Sequence, residues 1–169
     1  MKESIQVIPA AEVAAGLVKE LREWFEREFE SIDRWRAADY YVLLNRGGQL
    51  AGRLGVLDSE VSVGNQFIRV GGIGGVATKP AFRHRGVASA MLARVAEFMK
   101  SDLRMEFGLL LCRHEVSPVY AKMGWVMVPG PTTFARAGVA ATYPNDTMIL
   151  RLGERVWPPG PIDMLGLPW

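Results

Sequence analysis

A chain of 169 residues is expected to form one domain with a single substantial core. Hydrophobic residues make up 49% and the formal net charge is +2, which argues against disorder and leaves no basic footprint for nucleic acid. The lone cysteine, Cys112, excludes an intrachain disulfide; inside an apolar run it reads as a small core residue, and no metal site is expected.

The N-terminal MKESIQVIP has no long apolar segment and no stretch approaches a membrane span, so a cytoplasmic protein without a membrane partner is expected. Ser4 to Ile8 reads as a short first strand. Ala11 to Phe29 carries Leu17, Leu21, Trp24, Phe25 and Phe29 at helical spacing, the mark of a packed helix face. Tyr40 to Asn45, Arg46-Gly47-Gly48 and Gln49 to Leu57 read as strand, tight turn, strand. Val61 to Val63, Gly64-Asn65 and Phe67 to Val70 suggest a further hairpin, with a β-type run from Phe67 to Thr78. A turn at Pro80 and a basic loop precede a helix with Met91, Leu92, Val95, Phe98 and Met99 on one face. Glu106 to Cys112 is a buried strand, Pro118 suits the first turn of a short helix, and Gly124 stops it before Trp125 opens another strand. Two helices among three or four antiparallel strands, then β-α-β-α-β, describe an α/β domain over residues 1–169. Its sheet is mixed, mostly antiparallel and flanked by helices.

The chemistry concentrates in the loop Arg83-His84-Arg85-Gly86-Val87-Ala88 and its neighbour Ser89. A helix N-terminus leaves its first amides without intrahelical partners, and its dipole favours negative charge. Two arginines there, with a glycine that lets a ligand approach the backbone, make a site for a phosphate or pyrophosphate. The Gly-Lys-Ser/Thr ending of an ATP-cradling loop is missing, and no Gly-x-Gly-x-x-Gly opens a helix.

The pattern Arg83-x-x-Gly86-x-Ala88, following Val76 and Pro80, resembles the acetyl-coenzyme A signature of the GCN5-related N-acetyltransferases (GNAT). The strand, the short helix bearing Tyr120, and Gly124-Trp125 resemble the second half of the same fold. Element order carries the resemblance over nearly the whole chain, and the specific motifs span Val70 to Trp125. The resemblance implies the GNAT fold and acetyl-coenzyme A as cofactor, with coenzyme A as product. Cofactor contacts are then expected from Val76, Ala77, Thr78, Arg83, His84, Arg85, Gly86, Val87, Ala88 and Ser89. Acetyl transfer to an amine needs a positioned thioester, stabilisation of the developing oxyanion and a proton for the departing sulfur. By resemblance, backbone around Gly75 to Ala77 binds the pantetheine arm and polarises the carbonyl, and Tyr120 is the general acid. Many members carry a glutamate on the strand before the loop, where this chain has Gly71-Gly72-Ile73-Gly74-Gly75. His114, Glu115 or water stand as alternative general bases.

From Gly71 onward the sequence is similar to the aminoglycoside 2′-N-acetyltransferases. It shares Gly75 to Ala77, Tyr120 with Gly124-Trp125, Gly130 to Thr132, and a C-terminal tryptophan, Trp169. That similarity implies a small-molecule amine acceptor, an amino sugar or aminoglycoside-type antibiotic, bound by Asp33, Asp146 and the carboxylate of Trp169. Carboxylates form charge-assisted bonds with ammonium groups. The missing glutamate at Gly74 and a shorter N-terminal region depart from that family, and a smaller amino-sugar antibiotic such as kasugamycin also fits. The segment Val156 to Asp163 resembles nodulation-type N-acyltransferases, which load fatty acyl chains onto an amino-sugar oligomer. A domain that binds acyl-coenzyme A as a sensor without turnover is a third reading, and a homodimer is left open.

Overall fold

The computed structural model describes residues 1–29 and 35–169. β1 (Glu3–Pro9) pairs antiparallel with β2 (Tyr40–Arg46), and α1 (Ala15–Glu28) lies between them in sequence. Gly47 and Gly48 turn the chain with φ of +60° and +77°, a twist that suits a tight hairpin and that side chains resist. β3 (Gln49–Val63) follows as one strand of 15 residues where two were expected. The polar Asp58, Ser59 and Glu60 fall between the two expected strands. They instead continue the alternation, with Asp58 and Glu60 exposed and Ser59 buried. The turn Gly64-Asn65 leads into β4 (Gln66–Thr78), paired with β3 from Val63↔Gln66 to Gly52↔Thr78.

The expected β-α-β-α-β run is completed by α2 (Val87–Ser101), β5 (Phe107–Cys112), α3 (Ser117–Ala121) and β6 (Val126–Met127). Among the described residues the N-terminal half holds one α-helix, where two were expected. Downstream come β7 (Thr132–Arg136), β8 (Val139–Thr142), β9 (Asp146–Arg151) and β10 (Ile162–Asp163). The sheet runs β6-β9-β5-β4-β3-β10-β7-β8, with β2 and then β1 added beside β3. Among the described strands, β4 with β5 and β10 with β7 are parallel and the other pairings antiparallel. The sheet is mixed and mostly antiparallel, as expected.

Its two faces are covered differently. α2 lays Met91, Leu92, Val95 and Met99 over Val42, Leu44, Leu54 and Val56. Each such side chain contributes about 1.5–3 kcal/mol on full burial. The approach is close: a Cβ on Gly71 would stand 2.2 Å from the Met99 sulfur. On the other face α1 places Leu21 against Leu43, and the C-terminal segment brings Ile162, Met164 and Trp169 over Leu57, Val70 and Leu109. Among the described residues no helix is long and apolar enough to cross a membrane.

Candidate functional site

The site begins where two neighbouring strands part. β4 and β5 are in register only over Gly71↔Gly108, Gly72↔Leu109 and Ile73↔Leu110. Beyond that point β4 stays with β3 while β5 stays with β9, so a gap opens between them. On the β3 side the pairing slips between Gly55↔Gly74 and Arg53↔Ala77, which leaves Gly75 and Val76 as a bulge. Gly75 sits at φ +59°, a left-handed conformation that glycine adopts freely. Gly75, Val76, Cys112 and Tyr120 are among the walls of a cavity of about 610 Å³ at this gap.

At the far end of β4 the chain makes a single tight turn, Pro80–Phe82, pinned by the buried Phe82. His84 and Gly86 then take φ of +59° and +77°, and α2 starts without any side-chain cap. The first-turn amides of Val87, Ala88 and Ser89 therefore have no intrahelical partner. A Cβ on Gly86, just before them, would meet nothing within 4 Å, so the chain is open there. Of the two arginines expected here, Arg83 is engaged: its Nε donates to the Thr78 carbonyl at 3.2 Å and its Nη2 to Glu28 at 3.3 Å. Arg85 is exposed, and its carbonyl accepts from Arg46 Nη1 at 3.1 Å. The loop thus offers amides and Arg85 to an anion, with Arg83 tying the loop back to α1.

Tyr120, on α3, is 9% exposed and stacks edge-on to Trp125 at 6.4 Å between centroids. Burial, helped by the neighbouring Cys112 and Tyr143, pushes its phenol up to about 12. The hydroxyl therefore holds its proton throughout the neutral range, as a proton donor must. Cys112 is pushed up to about 11, chiefly by burial, so it is a thiol and not a nucleophilic thiolate, in line with its expected core role.

Of the expected acceptor ligands, Trp169 lines the cavity and Asp146 does not. Asp33 lies outside the described residues. Asp146 does not line the cavity; its Oδ2 stands 2.8 Å from Nδ1 of His114. His114 and Glu115 are exposed and do not line the cavity either. Trp169 does line it, 4% exposed, with its indole Nε1 donating to the Leu109 carbonyl at 3.4 Å and Arg36 over its ring at 5.6 Å. Several lining or adjoining residues had no sequence expectation, among them Trp35, Tyr143, Arg136 and Arg53. Arg53 left a readable trace as a lone cation inside the run Gln49 to Leu57. Trp35 and Tyr143 sit in irregular segments with no periodic pattern.

A family model described as "Acetyltransferase (GNAT) domain" matches residues 7–128. The chain belongs to this family. It is accordingly an acyltransferase enzyme, and the expected GNAT fold is the observed one. No curated protein sequence matches the chain. Among solved structures it is similar to Escherichia coli ElaA, with 14% identity, a TM-score of 0.65, and 89% of this chain and 100% of that one covered. It is likewise similar to an acyl-CoA N-acyltransferase from Pseudomonas aeruginosa, with 14% identity, TM-score 0.60, and coverage of 88% and 99%. A GNAT-family acetyltransferase from Staphylococcus aureus shares 12% identity at TM-score 0.55, with coverage of 89% and 100%. These likenesses concern the fold. The GNAT acetyltransferase's own geometry fits the family's acyl donor in two respects: unpaired amides at an open helix start, and a strand gap wide enough to hold a cavity.

Proposed function

We propose that this acetyltransferase transfers the acetyl group of acetyl-coenzyme A to an amino group of an amino sugar, an aminoglycoside-type antibiotic being one form of that acceptor. The observation that carries the reading is the cavity at the β4–β5 gap, which gathers the Gly75–Val76 bulge, Tyr120 and Trp169 around one space. The amides of Val87 to Ser89 would take the cofactor's pyrophosphate, and Val76 to Thr78 its pantetheine arm. The bulge amides would donate to the carbonyl oxygen as charge develops on it, and Tyr120 Oη would give its proton to the departing sulfur.

The strand-borne glutamate of many relatives is replaced here by glycine, and Trp169 uses the vacated space. Its main-chain carbonyl carbon would stand 2.9 Å from a Cβ on Gly74. In a chain that stops at Trp169, its carboxylate would hold the acceptor's ammonium there and receive its proton. Asp146, held by His114 through Oδ2, would take part from beside Asn145, which lines the cavity. Thiol release measured over a panel of amino sugars and aminoglycosides, with mass detection of the acetylated product, tests the proposal. Turnover of an amino sugar is the expected result. Turnover confined to amines outside that class would reject the acceptor, and acetyl-coenzyme A binding without any turnover would favour a sensor. Adding a few glycines after Trp169 should raise KM for the acceptor by about tenfold to a hundredfold if a charge-assisted bond is lost.

A further inference from the structure

Arg53 is a buried cation with no acid paired to it among the described residues. It sits on β3 at 4% exposure, with Nη1 donating to the Leu21 carbonyl at 2.9 Å and the guanidinium lying 5.2 Å from the Phe25 ring and 5.3 Å from that of Tyr41. Its Nε has no partner, and among the described residues no carboxylate pairs with it. Taking a guanidinium out of water without a counter-charge is costly, and the burial lowers its pKa accordingly. A group held at such a cost calls for an explanation at the site it borders.

Its place supplies one. A Cβ on Gly75 would stand 2.9 Å from Arg53 Nη2 and 3.0 Å from the Phe25 ring, and Gly75 and Phe25 both wall the cavity. The guanidinium is thus behind a wall one glycine thick. Arg113 and Arg136 line the same cavity, and neither pairs with a carboxylate among the described residues. Trp35 lines it too, and its indole N–H is buried without a partner. Glu28, the acidic side chain on this wall among the described residues, is already bound by Arg83 at 3.3 Å and by Trp24 Nε1 at 3.4 Å. The amides proposed for the cofactor's pyrophosphate belong to Val87 to Ser89, past Thr78, whereas Arg53 and Trp35 border the bulge and the cavity before it.

We infer that the acceptor carries an anionic group, a carboxylate or a phosphate, beside the amine, and that Arg53 with the Trp35 N–H makes the cavity selective for it. The inference rests on the proposed N-acetylation at this cavity and narrows its substrate class: within the proposed amino sugars, it favours those that carry an acid over polycationic ones. Inside a poorly solvated wall an unpaired charge acts on its neighbours with much less screening than in water. An anion on the acceptor would supply a counter-charge that no carboxylate among the described residues gives.

The test uses the full chain and acceptors in matched pairs: glucosamine against a glucosamine phosphate and against muramic acid, and butylamine against γ-aminobutyrate. Initial rates of thiol release are measured with wild type, Arg53→Met and Arg53→Lys, alongside acetyl-coenzyme A affinity and melting temperature. The wild type should favour the anionic member of a pair by about tenfold or more in kcat/KM, the size of a charge-assisted contact. The phosphate and carboxylate arms identify which anion is read. Arg53→Met should bring the ratio close to one by costing the anionic member far more activity than the neutral one, with acetyl-coenzyme A affinity nearly unchanged. Arg53→Lys, which keeps the positive charge should the methionine variant not fold, should retain part of the preference.

Equal or better turnover of the neutral member in every pair overturns the inference without recourse to a variant. A preference that survives both substitutions, or a uniform loss for charged and neutral acceptors alike, removes Arg53 from it. Anion-dependent turnover confined to the alkyl pair would retire the amino sugar and leave the inference standing. Turnover of amino sugars with no anion preference does the reverse, and no turnover of any acceptor sinks both.

Discussion

The indole of Trp169 occupies the space in which Gly72 would carry a side chain: a Cβ there would meet indole Cε2 at 2.4 Å and Nε1 at 2.5 Å. The glycine-rich stretch of β4 is therefore a seat for the last residue of the sequence. Gly72 receives the ring and Gly74 the main chain, with the carbonyl carbon 2.9 Å from its Cβ position. The same two positions cannot also bear large side chains, so the absence of a glutamate on this strand and the placement of Trp169 are one fact.

Gly72→Ala should cost about 1–3 kcal/mol, the usual penalty for overpacking a filled core. The cost should shrink in a Trp169→Ala background, with a coupling of at least about 0.5 kcal/mol in the double-mutant cycle. Chemical denaturation of the four proteins measures it. Additive effects would show that Trp169 does not rest on Gly72 in solution.

Gly86→Val should abolish most acetyl-coenzyme A binding while leaving the fold intact. The residue sits at φ +77° and a Cβ there meets nothing, so the damage comes from forcing a branched residue into the left-handed region beside the ligand amides. Titration calorimetry with a folded variant checks this; unchanged affinity would move the pyrophosphate elsewhere.

Tyr120→Phe removes the proton donor and keeps the ring that packs against Trp125. A positioned general acid contributes about 10²–10⁴-fold, so kcat should drop by that range with cofactor affinity nearly unchanged. Turnover within a few-fold of wild type, where chemistry limits the rate, would assign the tyrosine to packing.

Alkaline stability offers a check that needs no substrate. Tyr120 and Tyr143 are each pushed from 10.0 to about 12 in the folded state, chiefly by burial. Between those pH values the folded protein keeps protons that the unfolded chain releases, so stability falls as pH rises from about 10 to 12. Denaturation midpoints should decline across that window. The decline should be shallower in Tyr120→Phe by an amount on the order of 2 kcal/mol at its upper end. An identical decline in wild type and variant would mean that the phenol is open to water.

The sequence by itself determined the local features. Periodicity placed α2 and its buried face, paired glycines placed the β2–β3 turn, and Arg83 to Ser89 marked the start of α2, because each is set by neighbours within a few residues. Tyr120 was legible for the same reason, held between a buried strand and a glycine stop. What depends on residues far apart in the chain only the tertiary structure decided. The length of β3 followed from pairing along its whole edge, and the cavity from a β4 that keeps to β3 while β5 turns to β9. Asp146 pairs with His114 across 32 positions, and Trp169 reaches back to Gly72 and Gly74. Arg53 is a surface cation by composition alone; α1 makes it a buried one by closing over it with Leu21 and Phe25. Burial and charge pairing are properties of contacts between segments, and a linear pattern records only which residues are available to make them.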